Sequence, residues 1–376
     1  MAVSVFHCAD LHLDSPFSLF SPGEAERRRT ELRGAFTSAV LFAKSRHADI
    51  FIISGDLFDG DLVTRDTCEL LRSQFESFPE CRFFISPGNH DPYNDASVYR
   101  HMDFPSNVHV FGPEKERVRL DVLGVDVYGF GFTQKTCISS PVAGYPALDG
   151  ERINILVCHG DTSSPLSPNG PVTKAEIAAS GFDYIALGHI HAPSGVLKEG
   201  GTYYAYPGCL EGRSFDEPGY HGALFGQIDK GANRLEFVKF SKRRYETAEI
   251  DITGCEDKPA ALERIRAGIR TFTDDTALRV VLTGESSEGF IISPEDIGSG
   301  PHLPFRTEII DRTVPRADLS APELENTLRG IFYSKMLERL EGAAADSEEY
   351  RTALDALKYG LGALDGRSIG TAGGER

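Results

Sequence analysis

Five short segments concentrate the residues able to do chemistry: Asp10-Leu11-His12, Gly55-Asp56-Leu57-Phe58-Asp59, Gly88-Asn89-His90-Asp91, Cys158-His159-Gly160-Asp161 and Gly188-His189-Ile190-His191. They hold five of the eleven histidines, set beside carboxylates and one asparagine. Imidazole with carboxylate, and no thiolate ligand, suits Mn, Fe, Zn or Co better than Ca or an all-thiolate cluster. A single ion takes three or four ligands. The seven or eight candidates exceed that need and match two ions. A pair ~3.5–4 Å apart, bridged by a carboxylate, is a recurrent device for phosphoester hydrolysis. Singly, each segment has a plainer reading. A lone HxH is often a polar surface pair, DxH a strand-end turn, Gly-Asp an ordinary turn, and His159 a satisfied core histidine. Their weight comes from occurring together, in this order, each at the end of an expected strand.

The elements that must position them alternate. Strands are expected over Val3–Cys8, Asp49–Ile53 and Arg82–Ile85, with helices over Glu24–Lys44 and Thr64–Phe78 between them. That βαβαβ order argues for an α/β layered domain. In open α/β sheets the strand C-termini share one edge, where ligand sites form, so segments distant in sequence can converge. Further strands are expected at Val125–Phe132, Ile153–Cys158, Tyr184–Leu187, Thr202–Tyr206 and Gly222–Ile228. Fewer helices separate these, which points to a more antiparallel half. Gly55, Gly88 and Gly188 precede candidate ligands at sharp strand exits, where a positive φ or a close backbone approach is needed.

Basic, polar Lys239–Arg244 reads as a boundary. Beyond it, Thr247–Ile252, Pro259–Phe272, Leu278–Thr283 and Thr307–Arg312 make a small α+β unit. Ala321–Leu340 reads as a helix capped by Ser320, with Pro322 in its first turn and Leu324, Leu328, Ile331, Phe332 and Leu337 as an apolar stripe. Glu348–Leu364 repeats the pattern with Tyr350, Leu354, Leu357 and Leu361. The expected divisions are 1–240, 245–315, 320–365 and a disordered tail at 366–376.

Composition narrows the function classes. The 376 residues are 40% hydrophobic and 25% charged, ordinary for a soluble globular protein of two or three domains. No run approaches the ~20 apolar residues of a membrane span. The opening MAVSVFHCADLHLD lacks a secretory pattern. Seven scattered cysteines without CxxC spacing argue against a disulfide framework and for a reducing cytoplasm. The formal charge of -17 opposes nonspecific wrapping of polyanions. Arg27-Arg28-Arg29 with Arg33, and Lys242-Arg243-Arg244, are the basic clusters, and the first reads as a solvated helix face rather than a DNA patch. His7 is read as a support behind a ligand. His47, His101, His109, His221 and His302 are read as structural.

The five segments resemble the signature of the calcineurin-like metallophosphoesterase superfamily: DxH, GDxxD, GNH(D/E), a later His, and GHxH. The resemblance runs from about Met1 to Ile228. Within the superfamily the chain is similar to the SbcD-like, DNA-repair exonuclease branch. Ala9-Asp10-Leu11-His12-Leu13-Asp14-Ser15-Pro16, the Asp91 that ends the third motif, and Tyr206-Pro207-Gly208-Cys209 followed by Gly212-Arg213-Ser214-Phe215 carry that likeness. Cys209 stands where a small polar residue is usual. Asp59 is followed by Gly60-Asp61, so the phosphate-binding Arg of the protein phosphatases is missing.

The resemblance implies a layered β-sandwich flanked by helices, a small α+β capping domain and C-terminal helices. It implies one metal held by Asp10, His12, Asp56 and His191. The second would take Asp56, Asn89, His159 and His189. Asp56 would bridge, His90 would act as general acid, Asp91 would orient His90, and Asp59 would serve as a supporting residue. The implied cofactor is a pair of divalent ions, Mn2+ first, with Fe, Zn or Co as alternatives. The implied activity is a DNA nuclease in repair, with DNA, an SbcC-like coiled-coil ATPase and a second copy of the chain as partners. A phosphodiesterase or phosphatase for nucleotides or small molecules, and a metal-bound scaffold for an ATPase, are the alternatives.

Overall fold

The computed structural model describes residues 2–286, 290–298, 302–315, 326–345 and 347–364. The chain divides into two compact units, 1–244 and 245–376. The first unit contains two six-stranded sheets. In chain order its elements are β1 (Val3–Cys8), α1 (Pro22–Ser45), β2 (Ile50–Ile53), α2 (Arg65–Glu76), β3 (Arg82–Ile85), α3 (Val98–His101), β4 (Val108–Val110), β5 (Glu116–Leu120), β6 (Val125–Gly129) and β7 (Ile153–His159). Then come α4 (Lys174–Ser180), β8 (Tyr184–Gly188), β9 (Leu197–Glu199), β10 (Thr202–Ala205), β11 (Gly222–Asp229) and β12 (Ala232–Lys239).

The first sheet runs β12-β11-β1-β2-β3-β4, and the second β5-β6-β7-β8-β10-β9. In the first, β1 to β4 are parallel and β11 and β12 complete it antiparallel. The second sheet corrects the sequence reading. Its β6, β7, β8 and β10 are parallel, and β5 and β9 are antiparallel edges. Its crossovers are loops and the seven-residue α4, so a paucity of helices did not signal antiparallel pairing. The continuous burial of β6, β7 and β8 is what a parallel strand covered on both faces requires.

Alternation along the strands builds the layers. Val3 and Val5 of β1, with Ile50 and Ile52 of β2, meet Val125, Val127, Ile155 and Val157 between the sheets. Phe6, Cys8, Phe51, Ile53 and Phe83 face Leu32, Phe36 and Val40 of α1 and Leu71 and Phe75 of α2. Helix α1 begins with a capping box, Ser21 with Glu24, and Pro22 in its first turn. One residue contradicts its reading as a solvated helix: Arg28 is fully buried, and Glu31 nearly so.

In the second unit, strands Arg244–Asp251, Thr276–Thr283 and Arg306–Asp311 form a sheet with the middle segment central. Helix Lys258–Ile269 lays Ala261, Ile265 and Ile269 on its Leu278, Val280 and Leu282. Two helices, Leu328–Gly342 and Glu348–Leu364, pair through Tyr333, Met336, Leu340, Leu354, Leu357 and Leu361. The first is capped by Thr327, whose side chain accepts from Gly330 N. That corrects the stripe read from sequence: Leu328 and Ile331 are exposed, because a helix started at Thr327 buries the Tyr333-Met336-Leu340 face. Ser320, Pro322 and Leu324, and the tail expected to be disordered, lie outside the described residues. Among the described residues no helix is long and apolar enough to cross a membrane. All seven cysteines are free thiols.

Candidate metal centre

Each of the five segments leaves the C-terminal end of a strand: β1, β2 and β3 of one sheet, β7 and β8 of the other. The backbone stays paired past the strand ends. Asp10 N donates to Gly55 O at 3.1 Å and His12 N to Asp56 O at 2.9 Å. The tight exits have a steric signature. A Cβ on Gly188 would sit 1.8 Å from Ser54 O, and one on Gly88 2.2 Å from Asp56 Oδ1. The bends also fall on candidate ligands themselves: Asp10, His12, Asp56 and His189 all have positive φ. L-residues are held there only when their surroundings over-determine them, a hallmark of sites.

The seven ligands expected from sequence come together. His12 Nε2 and His191 Nε2 are 3.2 Å apart. His12 Nδ1 meets Asp59 Oδ1 at 3.2 Å, and His191 Nδ1 meets Glu217 Oε1 at 2.7 Å. Across the cluster, His159 Nδ1 donates to Ser54 O at 3.0 Å, while its Nε2 faces Asn89 Oδ1 at 2.8 Å. His189 Nδ1 approaches the same Asn89 oxygen at 3.2 Å, and its backbone N–H donates to Asp10 Oδ1 at 3.0 Å. Asp56 lies between the groups: its Oδ2 is 3.7 Å from His12 Nε2 and 3.5 Å from His159 Nε2. Among the described residues, Asp10-His12-His191, Asp10-Asp56-His159 and His12-Asp56-His90 each present ligand atoms within 4.8 Å of one another.

The donor inventory tests whether cations fit. A carbonyl or an ionised carboxylate only accepts, so the Nδ1 of His12, His159 and His191 carries the proton. Their Nε2 atoms are then bare lone pairs. Two such nitrogens 3.2 Å apart need positive charge between them, a proton or a metal ion, and a third faces the Asn89 amide at 2.8 Å. Burial holds His12 and His189 below the usual histidine range, and for His12 this outweighs the opposing bond from Asp59. For His191, burial pushes down but the Glu217 bond wins and the value rises. Imidazoles and carboxylates gathered in one largely buried cluster form a ligand set for a divalent cation.

Asp59, Asp91 and His90 sort differently from the sequence reading. His90 Nδ1 binds Asp59 Oδ1 at 2.9 Å, and its side chain is 46% exposed. Asp91 does not orient it. The Asp91 carboxylate turns into the core, accepting from Gly88 N (2.7 Å), Phe58 N (3.0 Å) and Tyr99 Oη (2.6 Å). Burial and nearby Asp56 push its pKa up to about 7. The physical reason is that consecutive side chains leave the turn on opposite sides, so Asp91 ties the second and third segments together while Asp59 reaches His90. Asp59 is held well below the usual carboxylate range: burial opposes, but bonds from His12 and His90 prevail.

Other supports lie outside the five segments. His7 spans the sheets, with Nδ1 2.8 Å from Tyr184 Oη and Nε2 3.0 Å from Ser54 Oγ, so it fixes the residue whose carbonyl orients His159. Glu217 and Arg213 were given no role by the sequence, although Arg213 sits in the stretch resembling the SbcD-like branch. Glu217 lies two residues past that stretch, and no motif or spacing marked it.

A sequence model describing calcineurin-like phosphoesterases matches residues 3–193. The chain is 28% identical over 307 residues to the metallophosphoesterase YhaO of Bacillus subtilis, covering 78% of this chain and 74% of that protein. It is 26% identical over 285 residues to the DNA double-strand break repair protein Mre11 of Saccharolobus solfataricus, covering 73% and 70%. With Mre11 of Methanopyrus kandleri the identity is 23% over 299 residues, covering 72% of this chain and 64% of that one.

Proposed function

We propose that this chain, which belongs to the calcineurin-like phosphoesterase family, hydrolyses the phosphodiesters of DNA with a pair of divalent cations. Phosphoester hydrolysis is the chemistry of the family, and its members use divalent metals. The pair, and DNA, are the finer reading. Asp56 carries it. Its carboxylate stands between two sets of bare acceptors, at 3.7 and 3.5 Å from nitrogens of each. Asp10, His12, Asp56 and His191 would hold one cation, and Asp56, Asn89, His159 and His189 the other. Mn2+ is the proposed ion, and Fe, Zn and Co suit the same donors. When bound, the cations supply an acidified water and charge neutralisation at the phosphate.

The remaining work belongs to side chains. His90 projects from the rim with Nδ1 on Asp59, which raises its pKa and leaves Nε2 for substrate. A protonated imidazole there donates to the departing alkoxide, a contribution of ~10²–10⁴-fold. Asp59 holds the ring, and Asp91 holds the turn beneath it. DNA is favoured by the likeness to proteins named Mre11 and by Gly60-Asp61 standing where protein phosphatases place an Arg. A small phosphodiester is the second reading. It is favoured by the -17 charge and by the burial of Arg28 and Arg243, which removes both from a DNA-facing surface. A coiled-coil ATPase docked on the C-terminal helices, where Leu328 and Ile331 are exposed, a homodimer and a cytoplasmic location complete the proposal.

The test offers Mn2+-loaded protein linear duplex DNA, single strands and a chromogenic phosphodiester. DNA cleavage is expected, and His90→Ala should keep its ions while turnover falls ~10²–10⁴-fold. Loss of ions together with activity would make His90 a ligand. Cleavage of the chromogen alone selects the small-substrate reading, and no cleavage with tight ATPase binding selects a scaffold.

A further inference from the structure

We infer that Glu217 is a positioning residue that aims His191 at its cation and, through Arg213 and Asp59, ties His191 to His90. The inference rests on the metal-dependent reading above.

A continuous set of contacts carries it. Glu217 Oε1 lies 2.7 Å from His191 Nδ1. Arg213 Nη2 donates to the same oxygen at 3.0 Å, and Arg213 N donates to Oε2 at 2.6 Å. Arg213 Nη1 lies 3.7 Å from Asp59 Oδ1 and 3.3 Å from Ser15 Oγ, which itself donates to Asp59 Oδ2 at 2.8 Å. Asp59 Oδ1 then meets both His12 and His90. Two carboxylates thus flank one guanidinium, and each holds the Nδ1 of a histidine whose Nε2 is left for a cation or a substrate. Carboxylates behind ligating histidines fix the tautomer and the ring plane, and losing one costs 10–100-fold in metal affinity, as an order of magnitude.

The strap that delivers Glu217 is anchored at both ends. Glu211 accepts from Arg28 Nη2 at 3.1 Å and from the backbone N–H groups of Lys242 (2.6 Å) and Arg243 (3.0 Å). At the other end, the Glu217 carbonyl faces His221 Nε2 at 3.0 Å. Glu217 is 7% exposed, so its carboxylate has few other places to go. A merely structural role would be to close the turn at Arg213, and the test separates the two.

The test measures Mn2+ binding to the full chain by calorimetry, ion by ion, with kcat and KM on a chromogenic phosphodiester. For Glu217→Ala, one ion should weaken about 10–100-fold while the other stays within about threefold, and kcat should fall more than KM rises. Glu217→Gln keeps an oxygen for the imidazole N–H. It should restore most of the ion affinity but less of kcat, since the guanidinium loses its charged partner. Arg213→Met should leave both ions bound and lower kcat through Asp59 and His90. Equal weakening of both ions, or no weakening in Glu217→Ala, overturns the inference. If Glu217→Ala fails to fold, Glu217→Gln with unchanged kcat and affinities overturns it. A wild type that takes a single ion sinks the paired reading. Glu217 then stands or falls on the weakening of that one ion.

Discussion

Two charged clusters sit in the first unit, and they are built on opposite principles. Behind the site, Arg28, Glu31, Glu211 and Arg243 form a buried quartet. Arg28 pairs with Glu31 and Glu211, and Arg243 Nη2 with Glu31 Oε1 at 2.6 Å. Arg28 also donates to Gly212 O at 2.6 Å. Two guanidiniums meet two carboxylates, so the charges balance inside the protein. The candidate metal centre is also largely buried, yet there acceptors face acceptors, as at His12–His191. Balanced charge marks the first as a structural tie. A deficit of positive charge marks the second as a place where something must bind.

The largest effect is expected from a change at Asp56. Asp56→Asn should abolish turnover and the stabilisation that Mn2+ confers, which follows RT ln(1 + [L]/Kd). In metal-free protein the same change should alter Tm little, because an amide keeps the oxygen that accepts from His90 N at 2.9 Å. Thermal unfolding with and without Mn2+ reads both, and a large drop in metal-free Tm would make Asp56 a structural residue. Arg28→Met should do the reverse. Stranding Glu211 and Glu31 in the interior costs about 3–5 kcal/mol. For a unit of this size that is roughly 6–20 °C, with or without Mn2+.

His7 lies between the two regimes, a buried imidazole satisfied by neutral partners. Burial lowers its pKa to about 3, against a smaller opposing backbone bond. The unfolded chain therefore binds the proton first as pH falls below the ordinary value of about 6.5. Stability is fully present above that value and is lost toward the folded value, up to about 3 kcal/mol between pH 6.5 and 4. His7→Gln should flatten that part of the acid-unfolding curve by up to one proton, and an unchanged slope would refute it.

The sequence exposed the candidate ligands because metal chemistry restricts residue type and because each candidate sits at a strand exit. It did not expose the supports. Asp91 is the chain neighbour of His90 and Asp59 lies 31 residues before it, yet only the folded turn shows that Asp59 is the partner. Glu217 follows His191 by 26 residues, with no spacing rule to connect them. The parallel order of β6, β7, β8 and β10 was hidden for a related reason: loops replaced the helices that usually announce a crossover.

The smallest effect is the most direct lesson about legibility. Arg27 and Arg28 are the same letter in adjacent positions, and sequence gave both to a solvated face. A helix turns 100° per residue, so one step carries the side chain from solvent to core. Arg27 is 56% exposed, with Nε 3.5 Å from Glu31 Oε1, whereas Arg28 is completely buried. Arg27 is the solvent-side partner of a Glu31 that keeps Arg28 and Arg243 as buried partners, so its loss costs little, about 0.2–1 kcal/mol. Arg27→Ala should therefore shift Tm by no more than ~4 °C, with a loss that shrinks further in high salt, where exposed charges are screened. Arg28→Met should respond less to salt, because Arg28, Glu31 and Glu211 are buried. If the two variants lost similar stability, or responded alike to salt, the quartet would not be the self-sufficient counterpart of the metal centre.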